Sequence, residues 1–360
     1  MNTEFNIAVM PGDGIGREIM AVCLEVLSAL EKKFGDFKLR HEILPAGAAH
    51  YKETGTAFSD ENFKKVGEAD AILLGAIGLP DVRYPDGTEI SPHLEIRRQL
   101  DLYAGLRPVK AFPHAKLTLK DERAEMIDIL ILRESTEGLF ASVGKGKVEN
   151  NAVARDTLEI TRRTSERLFD VAFKLAEKRQ KRGGKGRVTC VDKANVFTSM
   201  AFFRKIFDER AANFPGIQAD HHYVDATALD LLRKPWDFDV LVMENMFGDI
   251  LSDLGAGLVG GMGMAPCAEL GDRHGLFQPA HGSAPDIMGQ DKANPTAMLL
   301  SASMMLDWLG EQHDVPSCRD ASDALNEAID RGYRTKAIWP MEQGGNQGTQ
   351  AMAEAVINLL

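Results

Sequence analysis

Short apolar runs alternate with amphipathic stretches along most of the chain. The first run, FNIAVM at residues 5–10, is apolar enough for a buried strand. Residues 17–33 follow with Ile19, Val22, Cys23, Val26 and Leu30 at the spacing of a helix with one buried face. Further buried strands are expected at 69–74 (ADAILL), 126–132 (MIDILIL), 187–191 (RVTCV) and 238–243 (FDVLVM). A long amphipathic helix is expected over 157–180, with Leu168, Val171, Ala172 and Leu175 on one face. Such alternation predicts an α/β fold with much parallel sheet. The sequence holds no internal repeat and no low-complexity linker.

Composition narrows this picture. With 44% hydrophobic and 26% charged residues the chain has an ordinary globular make-up, which excludes disordered, collagen-like and coiled-coil classes. Its 360 residues are enough for about two domains. A formal net charge of −11 argues against nucleic acid as a partner, yet a few inward-pointing arginines could still hold a small acidic molecule. The basic stretch KRQKRGGKGR at 178–187 lacks the GxxxxGK[ST] spacing of a phosphate loop and is expected to be a solvated helix end and turn. Cys23, Cys190, Cys267 and Cys318 have no metal-type spacing and are expected to be buried or free thiols rather than disulfides. No signal peptide and no apolar stretch of bilayer length is evident, so a cytoplasmic protein without a membrane partner is expected.

Five constellations carry candidate chemistry. Pro11-Gly12-Asp13-Gly14-Ile15-Gly16 lies between the first strand and helix, where glycines allow a sharp turn and close approach to a ligand. Its GxGxG spacing is not the Rossmann GxGxxG, and a purely structural turn explains it equally well. Asp249 and Asp253 fall one helical turn apart in NMFGDILSD, a pair of hard oxygen ligands suited to Mg²⁺ or Mn²⁺ or else a solvated acidic face. The strand expected just before that helix favours the first alternative. Arg97, Arg98 and Arg107 in LEIRRQLDLYAGLRP, and Arg133 at the end of an apolar strand, could clamp carboxylates. Lys193 in VDKAN sits at another strand end, where a lysine can accept a proton. His281-Gly282-Ser283-Ala284-Pro285-Asp286, followed by Asn294-Pro295, is rich in small and turn-forming residues whose amides can face a ligand.

Together these segments resemble the β-decarboxylating dehydrogenases, the isocitrate, isopropylmalate, homoisocitrate and tartrate/D-malate dehydrogenases. PGDGIG, DLYAGLRP, LRESTEG, VDKANV, YVDA, NMFGDILSD and HGSAPDI…ANP occur in the family's order, nearly end to end. The resemblance implies an isopropylmalate dehydrogenase-like α/β fold, not a Rossmann fold, of two α/β domains with a cleft between them. A large NAD-binding domain would combine 1–102 with 258–360, and a smaller metal, substrate and dimerisation domain would span 103–257. NAD would lie along the loop of His281, Gly282, Ser283, Ala284 and Asp286, with Ile15 and Asn294 as further contacts. Asp286 matches the residue that accepts hydrogen bonds from the adenosine ribose and repels the 2′-phosphate of NADP. Arg97, Arg107 and Arg133 match the arginines on the malate part of the substrate. Asp225, Asp249 and Asp253 match the Mg²⁺- or Mn²⁺-binding aspartates. Lys193 and Asp225 match catalytic residues that reach into a neighbouring subunit's site, which implies a homodimer with shared active sites. The implied reaction is oxidation of a 2-hydroxy di- or tricarboxylic acid of the 3-substituted malate type, with β-decarboxylation to a 2-keto acid.

Two departures matter. Where the family has a tyrosine that protonates the enolate, this chain has Phe140, which has no proton to give. Another group or water then protonates, decarboxylation is slow, or the reaction stops at the ketone. Ser91, His93 and Leu94 precede Arg97 and are expected to face the substrate's variable group. His93 there suits a polar or compact substituent, nearer D-malate or tartrate than isopropylmalate. Leucine biosynthesis is therefore disfavoured as the role, with 3-isopropylmalate dehydrogenase and a non-decarboxylating tartrate/malate-type enzyme kept as alternatives. A non-catalytic regulatory paralogue, or a metal-dependent lyase or hydrolase, would not need this arginine, lysine and aspartate set together with the NAD loop.

Overall fold

The computed structural model describes residues 3–360. Two compact units emerge, Met1–Leu100 with Phe112–Lys116 and Gly260–Leu360, and Asp101–Ala111 with Leu117–Val259. The stretch expected as one run over 103–257 is thus interrupted. Phe112 lies against Tyr333 with ring centroids 5.3 Å apart, and the Lys116 amide donates to Gln343 Oε1 at 2.6 Å, which ties this segment into the first unit.

In the first unit, β1 (Thr3–Gly12), β2 (Phe37–Ile43), β3 (Ala71–Ala76) and β12 (Gly275–Pro279) are parallel, and β11 (Pro266–Leu270) runs antiparallel to β12, in the order β2-β1-β3-β12-β11. Every residue of β3 is buried, as a parallel strand covered on both faces requires. The strand expected at 69–74 begins two residues late because Ala69 still closes α3 (Asp60–Glu68), its amide donating to Lys65 O. Helix α1 (Gly16–Phe34) buries the predicted stripe, including Ile19, Cys23, Val26 and Leu30, and ends where Gly35 takes φ 76°. Helices α2 (Ala48–Thr54), α4 (Pro92–Gln99), α9 (Thr296–Gln312), α10 (Pro316–Thr335) and α11 (Thr349–Leu359) complete the unit. Helix α9 is buried on nearly every face, so its sequence shows no amphipathic stripe to read.

In the second unit the order is β4-β5-β10-β8-β9, formed by β4 (Ala104–Lys110), β5 (Asp128–Glu134), β8 (Arg187–Asp192), β9 (Gln218–Tyr223) and β10 (Val240–Met243). Only the β4–β5 pair is antiparallel among these. The ILIL run of β5 is buried, and Val109, Val191, Leu241 and Met243 join it in the core under α8 (Asn245–Leu258). The helix expected from 157 starts later, as α5 (Arg162–Lys181), because Thr161 Oγ1 caps it by accepting from the Thr164 amide at 3.3 Å. Its basic end runs into turns at Gly183 and Gly186, the helix end and turn expected of 178–187. Phe173 stacks on Phe207 and Phe214 where α5 packs against α6 (Thr198–Ala211). Helix α7 (Val224–Arg233) follows β9, and a short exposed hairpin, β6 (Lys147–Glu149) with β7 (Val153–Arg155), gave no sequence signal. All four cysteines are reduced thiols and buried, and among the described residues no helix is long and apolar enough to cross a membrane.

Candidate active site

The second unit gathers arginines and carboxylates at the ends of its strands. In the β4–β5 ladder Arg133 pairs with Gly105 and Arg107 with Ile131, so both arginines project from the same face of the sheet. Arg133 is buried and donates from Nε and Nη2 to Asn245 Oδ1, at 3.0 and 2.7 Å, and from Nη1 to Asp249. The Phe140 ring centroid lies 5.2 Å from the same guanidinium, a cation–π contact that holds the ring against Arg133. Asp249 and Asp253 are one turn apart on α8, as the spacing implied. Burial and then the charge of Asp249 raise the Asp253 carboxyl above its ordinary range, against the pull of Arg107 and Arg133. Two like charges held this way form a donor set that suits a hard divalent cation.

Gly248 lets α8 approach β5. A Cβ there would come within 2.6 Å of both Arg133 Cβ and Cγ. Gly248→Ala is therefore expected to displace Arg133 and lower kcat/KM by about 10²-fold. Steady-state kinetics beside a melting curve would check this, and unchanged kinetics would mean that the helix shifts harmlessly.

Lys193 follows β8 and donates from Nζ to Asp225 Oδ1 at 2.6 Å. That bond is the chief reason the Asp225 carboxyl lies below its ordinary value. The preceding Asp192 is fully buried and takes two bonds from Arg204, both 2.8 Å, plus the Ala194 amide, fixing the chain that presents Lys193. Within one chain Asp225 does not join Asp249 and Asp253. Among the described residues no three His, Cys, Asp or Glu groups converge on a metal position.

Two acids in this unit, buried Glu134 and half-buried Glu137, escaped the sequence reading. Burial pushes the Glu134 carboxyl up to about 7, while it accepts from the Thr136 hydroxyl and from the Thr136 and Glu137 amides. Glu137 in turn accepts from the Thr161 amide and hydroxyl and from the Thr164 hydroxyl. These bonds pin the loop carrying Phe140. The available signal was acids followed by hydroxyl residues in LRESTEG, a pattern common in turns.

The first unit holds the remaining candidates. Ser91 precedes α4, His93 and Leu94 lie in its first turn, and Arg97 is buried in its last. Arg97 Nη2 lies 3.0 Å from Glu269 Oε1 of β11, a partner the sequence reading did not foresee. Its only sequence signal is a lone acid inside the apolar PCAEL strand.

Gly14 lets the glycine loop meet residues 281–286, since a Cβ there would fall 1.9 Å from Ser283 O. The Ile15 amide donates to Ser283 O at 2.8 Å, and Ser283 Oγ donates to Gly78 O. Ala284 takes φ 35°, a strained value for a residue with a Cβ, just before exposed Asp286. His281 Nε2 is buried with no hydrogen-bond partner, and burial lowers the imidazole pKa, so the ring is neutral with one nitrogen unsatisfied. Gly282 is exposed and unobstructed. Asn294, expected among the cofactor contacts, is buried and bonded within the chain. Its amide donates to Glu342 Oε2 and Met264 Sδ and accepts from the Thr296 amide, so the side chain braces the start of α9.

The comparisons with known proteins agree with this geometry. A sequence profile described as isocitrate/isopropylmalate dehydrogenase matches residues 6–356. The 3-isopropylmalate/3-methylmalate dehydrogenase of Methanocaldococcus jannaschii is 41% identical over 351 residues, 97% of each chain. The 3-isopropylmalate dehydrogenase of Geobacillus kaustophilus is 40% identical over 98% of this chain and 95% of its own. Among solved structures, isocitrate dehydrogenase from Methylococcus capsulatus superposes with a TM-score of 0.85 at 31% identity, covering 99% of both chains. A β-decarboxylating dehydrogenase from Thermococcus kodakarensis gives 0.79 at 34% identity, covering 99% of this chain and 96% of the other.

Fold and relatives are thus those of a metal-requiring dehydrogenase. The chain belongs to the isocitrate/isopropylmalate dehydrogenase family.

Proposed function

We propose that this enzyme oxidises a 3-substituted malate with a compact or polar substituent, using NAD and Mg²⁺ or Mn²⁺, and that oxidation is followed by β-decarboxylation. The observation that carries this reading is the placement of Arg107 and Arg133 on one face of adjacent strands, with Asp249 bonded to Arg133 and Asp253 one turn further on. Arginines there hold carboxylates, and the aspartates would hold the cation. When bound, the cation would polarise the hydroxyl and later the ketone, and NAD would take the hydride. Lys193, oriented by Asp225, takes the hydroxyl proton. His281 Nε2 and the loop through Ser283 and Ala284 support an adenosine site, and Asp286 supports NAD over NADP.

A homodimer with shared sites fits the same elements. Val196, Phe197, Leu229, Leu232 and Ile250 are exposed apolar side chains on or beside α6, α7 and α8, close in sequence to Lys193, Asp225 and Asp249. Burying them against a second copy would cover the apolar surface and bring an Asp225 from outside the chain.

The relatives named above are named for 3-isopropylmalate and 3-methylmalate. His93 in the first turn of α4 favours the smaller or more polar end of that series. The test is NADH formation at 340 nm with Mn²⁺ on D-malate, both tartrates, 3-methylmalate, isopropylmalate and isocitrate, with CO₂ measured in parallel. NADH with matching CO₂ from a malate bearing a compact substituent is expected, with kcat/KM for NADP well below that for NAD. Isopropylmalate as the best substrate would reject the specificity reading.

NADH without CO₂ would favour the second reading, a plain hydroxy-acid dehydrogenase, for which the specific observation is Phe140 over Arg133. If the missing hydroxyl limits protonation of the enolate, Phe140→Tyr should raise the rate of final keto-acid release about tenfold or more. An unchanged rate and product ratio would mean that another group or water already does this work.

A further inference from the structure

We propose that Glu18 positions the loop that carries Asp286 and, through that loop, sets the enzyme's affinity for its dinucleotide. The proposal rests on the reading above of residues 281–286 as the cofactor loop, and it concerns residues of the first unit only.

The loop leaves the body of the unit at Ser283 and rejoins it at Asp291. At the first point the Ile15 amide donates to Ser283 O at 2.8 Å, and Ser283 Oγ donates to Gly78 O. At the second, Asp291 Oδ1 accepts from the Gln350 amide in the first turn of α11, at 3.0 Å. Between these points Pro285, Asp286, Met288, Gly289 and Gln290 are all exposed. The Ile287 amide donates to Ala284 O and the Gln290 amide to Ile287 O, both at 3.2 Å, and Gln290 Nε2 donates to Asp286 O at 2.7 Å. Those bonds shape the loop without fastening it to anything else. Among the described residues, the hydrogen bond that fastens it between the two points runs from the Gly289 amide to Glu18 Oε2, at 3.0 Å.

Glu18 is a half-buried acid in the first turn of α1. The ordinary role of such an acid is to face the amides of its own helix. Here Oε2 takes the loop amide instead, while Oε1 is buried without a hydrogen-bond partner. An amide bonded to a carboxylate is held more firmly than one bonded to a neutral oxygen. Asp286 lies three residues before Gly289, and its carbonyl is tied to the Gln290 side chain, so a shift at Gly289 is passed on to it. Glu18 is thus a positioning residue. It acts on the place of Asp286 and does not itself need to reach the cofactor.

The tie is best probed from Glu18, because Gly289 takes φ 73° and any side chain there strains the backbone. Glu18→Ala removes the acceptor, and Glu18→Gln keeps an oxygen for the Gly289 amide. For Glu18→Ala the calorimetric dissociation constant and KM for NAD are expected to rise about tenfold, the loss of one charge-assisted hydrogen bond. The effect falls on KM for NAD rather than on kcat or on KM for D-malate with Mn²⁺, and Glu18→Gln restores most of it. In the cofactor-free protein, amide exchange across 284–290 should quicken in Glu18→Ala and much less in Glu18→Gln. If the wild type binds neither NAD nor NADP, the cofactor reading fails. The exchange rates then decide the positioning role alone, quickened exchange upholding it and unchanged exchange overturning it. An NAD affinity unmoved in Glu18→Ala would overturn the proposal. So would an equal fall in melting temperature, kcat and both affinities in the two variants, the mark of a general brace.

Discussion

Lys193→Met is expected to lower kcat by about 10³-fold while leaving the melting curve nearly unchanged, the loss ordinarily seen when a positioned proton acceptor is removed. Lys193 is only partly buried and bonds Asp225 at 2.6 Å, so little of the fold depends on it. The preceding residues are held independently by Arg204 on buried Asp192. Methionine fills the same volume without a proton site. Steady-state kinetics on the best substrate would measure the effect, and a loss below tenfold would remove Lys193 from the chemistry.

A mixing experiment extends this to the assembly. If Lys193 serves the partner's site, Lys193→Met subunits refolded with Asp253→Asn subunits form hybrids in which one site has both defects and the other has none. About a quarter of all sites are then intact, and activity returns to about that fraction. If each chain holds its own complete site, every site keeps one defect and the mixture stays inactive.

How much of this could be read in advance follows from where each signal lies. The ILIL run of β5, the spaced apolar stripe of α1 and the strand-end position of Lys193 are local patterns, and local physics preserved them. Boundaries moved where a capping or turn bond decided them, as at Thr161 before α5 and Ala69 after α3. The helix α9 and the hairpin of β6 and β7 were invisible, one because it is apolar all round and the other because its six residues are all exposed. The pairing of Arg97 with Glu269 joins positions far apart in sequence, and no spacing rule reaches that far.

Asp253→Asn should abolish most of the cation's effect on both stability and turnover. In the metal-free protein, burial raises the cost of charging Asp253, and the charge of Asp249 one turn away on α8 adds to it. Replacing one carboxylate by an amide relieves that repulsion, so the variant without metal should melt no lower than wild type. Adding Mn²⁺ at a hundredfold excess over its dissociation constant would stabilise the wild type by about 2.7 kcal/mol, because the ion binds the folded state alone. The variant keeps Asp249, still bonded to Arg133, but loses an oxygen of full charge, so its affinity for the ion should weaken by at least about 10²-fold. At the same Mn²⁺ concentration most of the stabilisation disappears, and NAD reduction falls with it. The two effects have opposite signs in the presence and absence of the ion, which separates a lost ligand from simple damage to the helix. Melting curves with and without Mn²⁺ measure both, and an equal upward shift in wild type and variant would exclude Asp253 as a ligand.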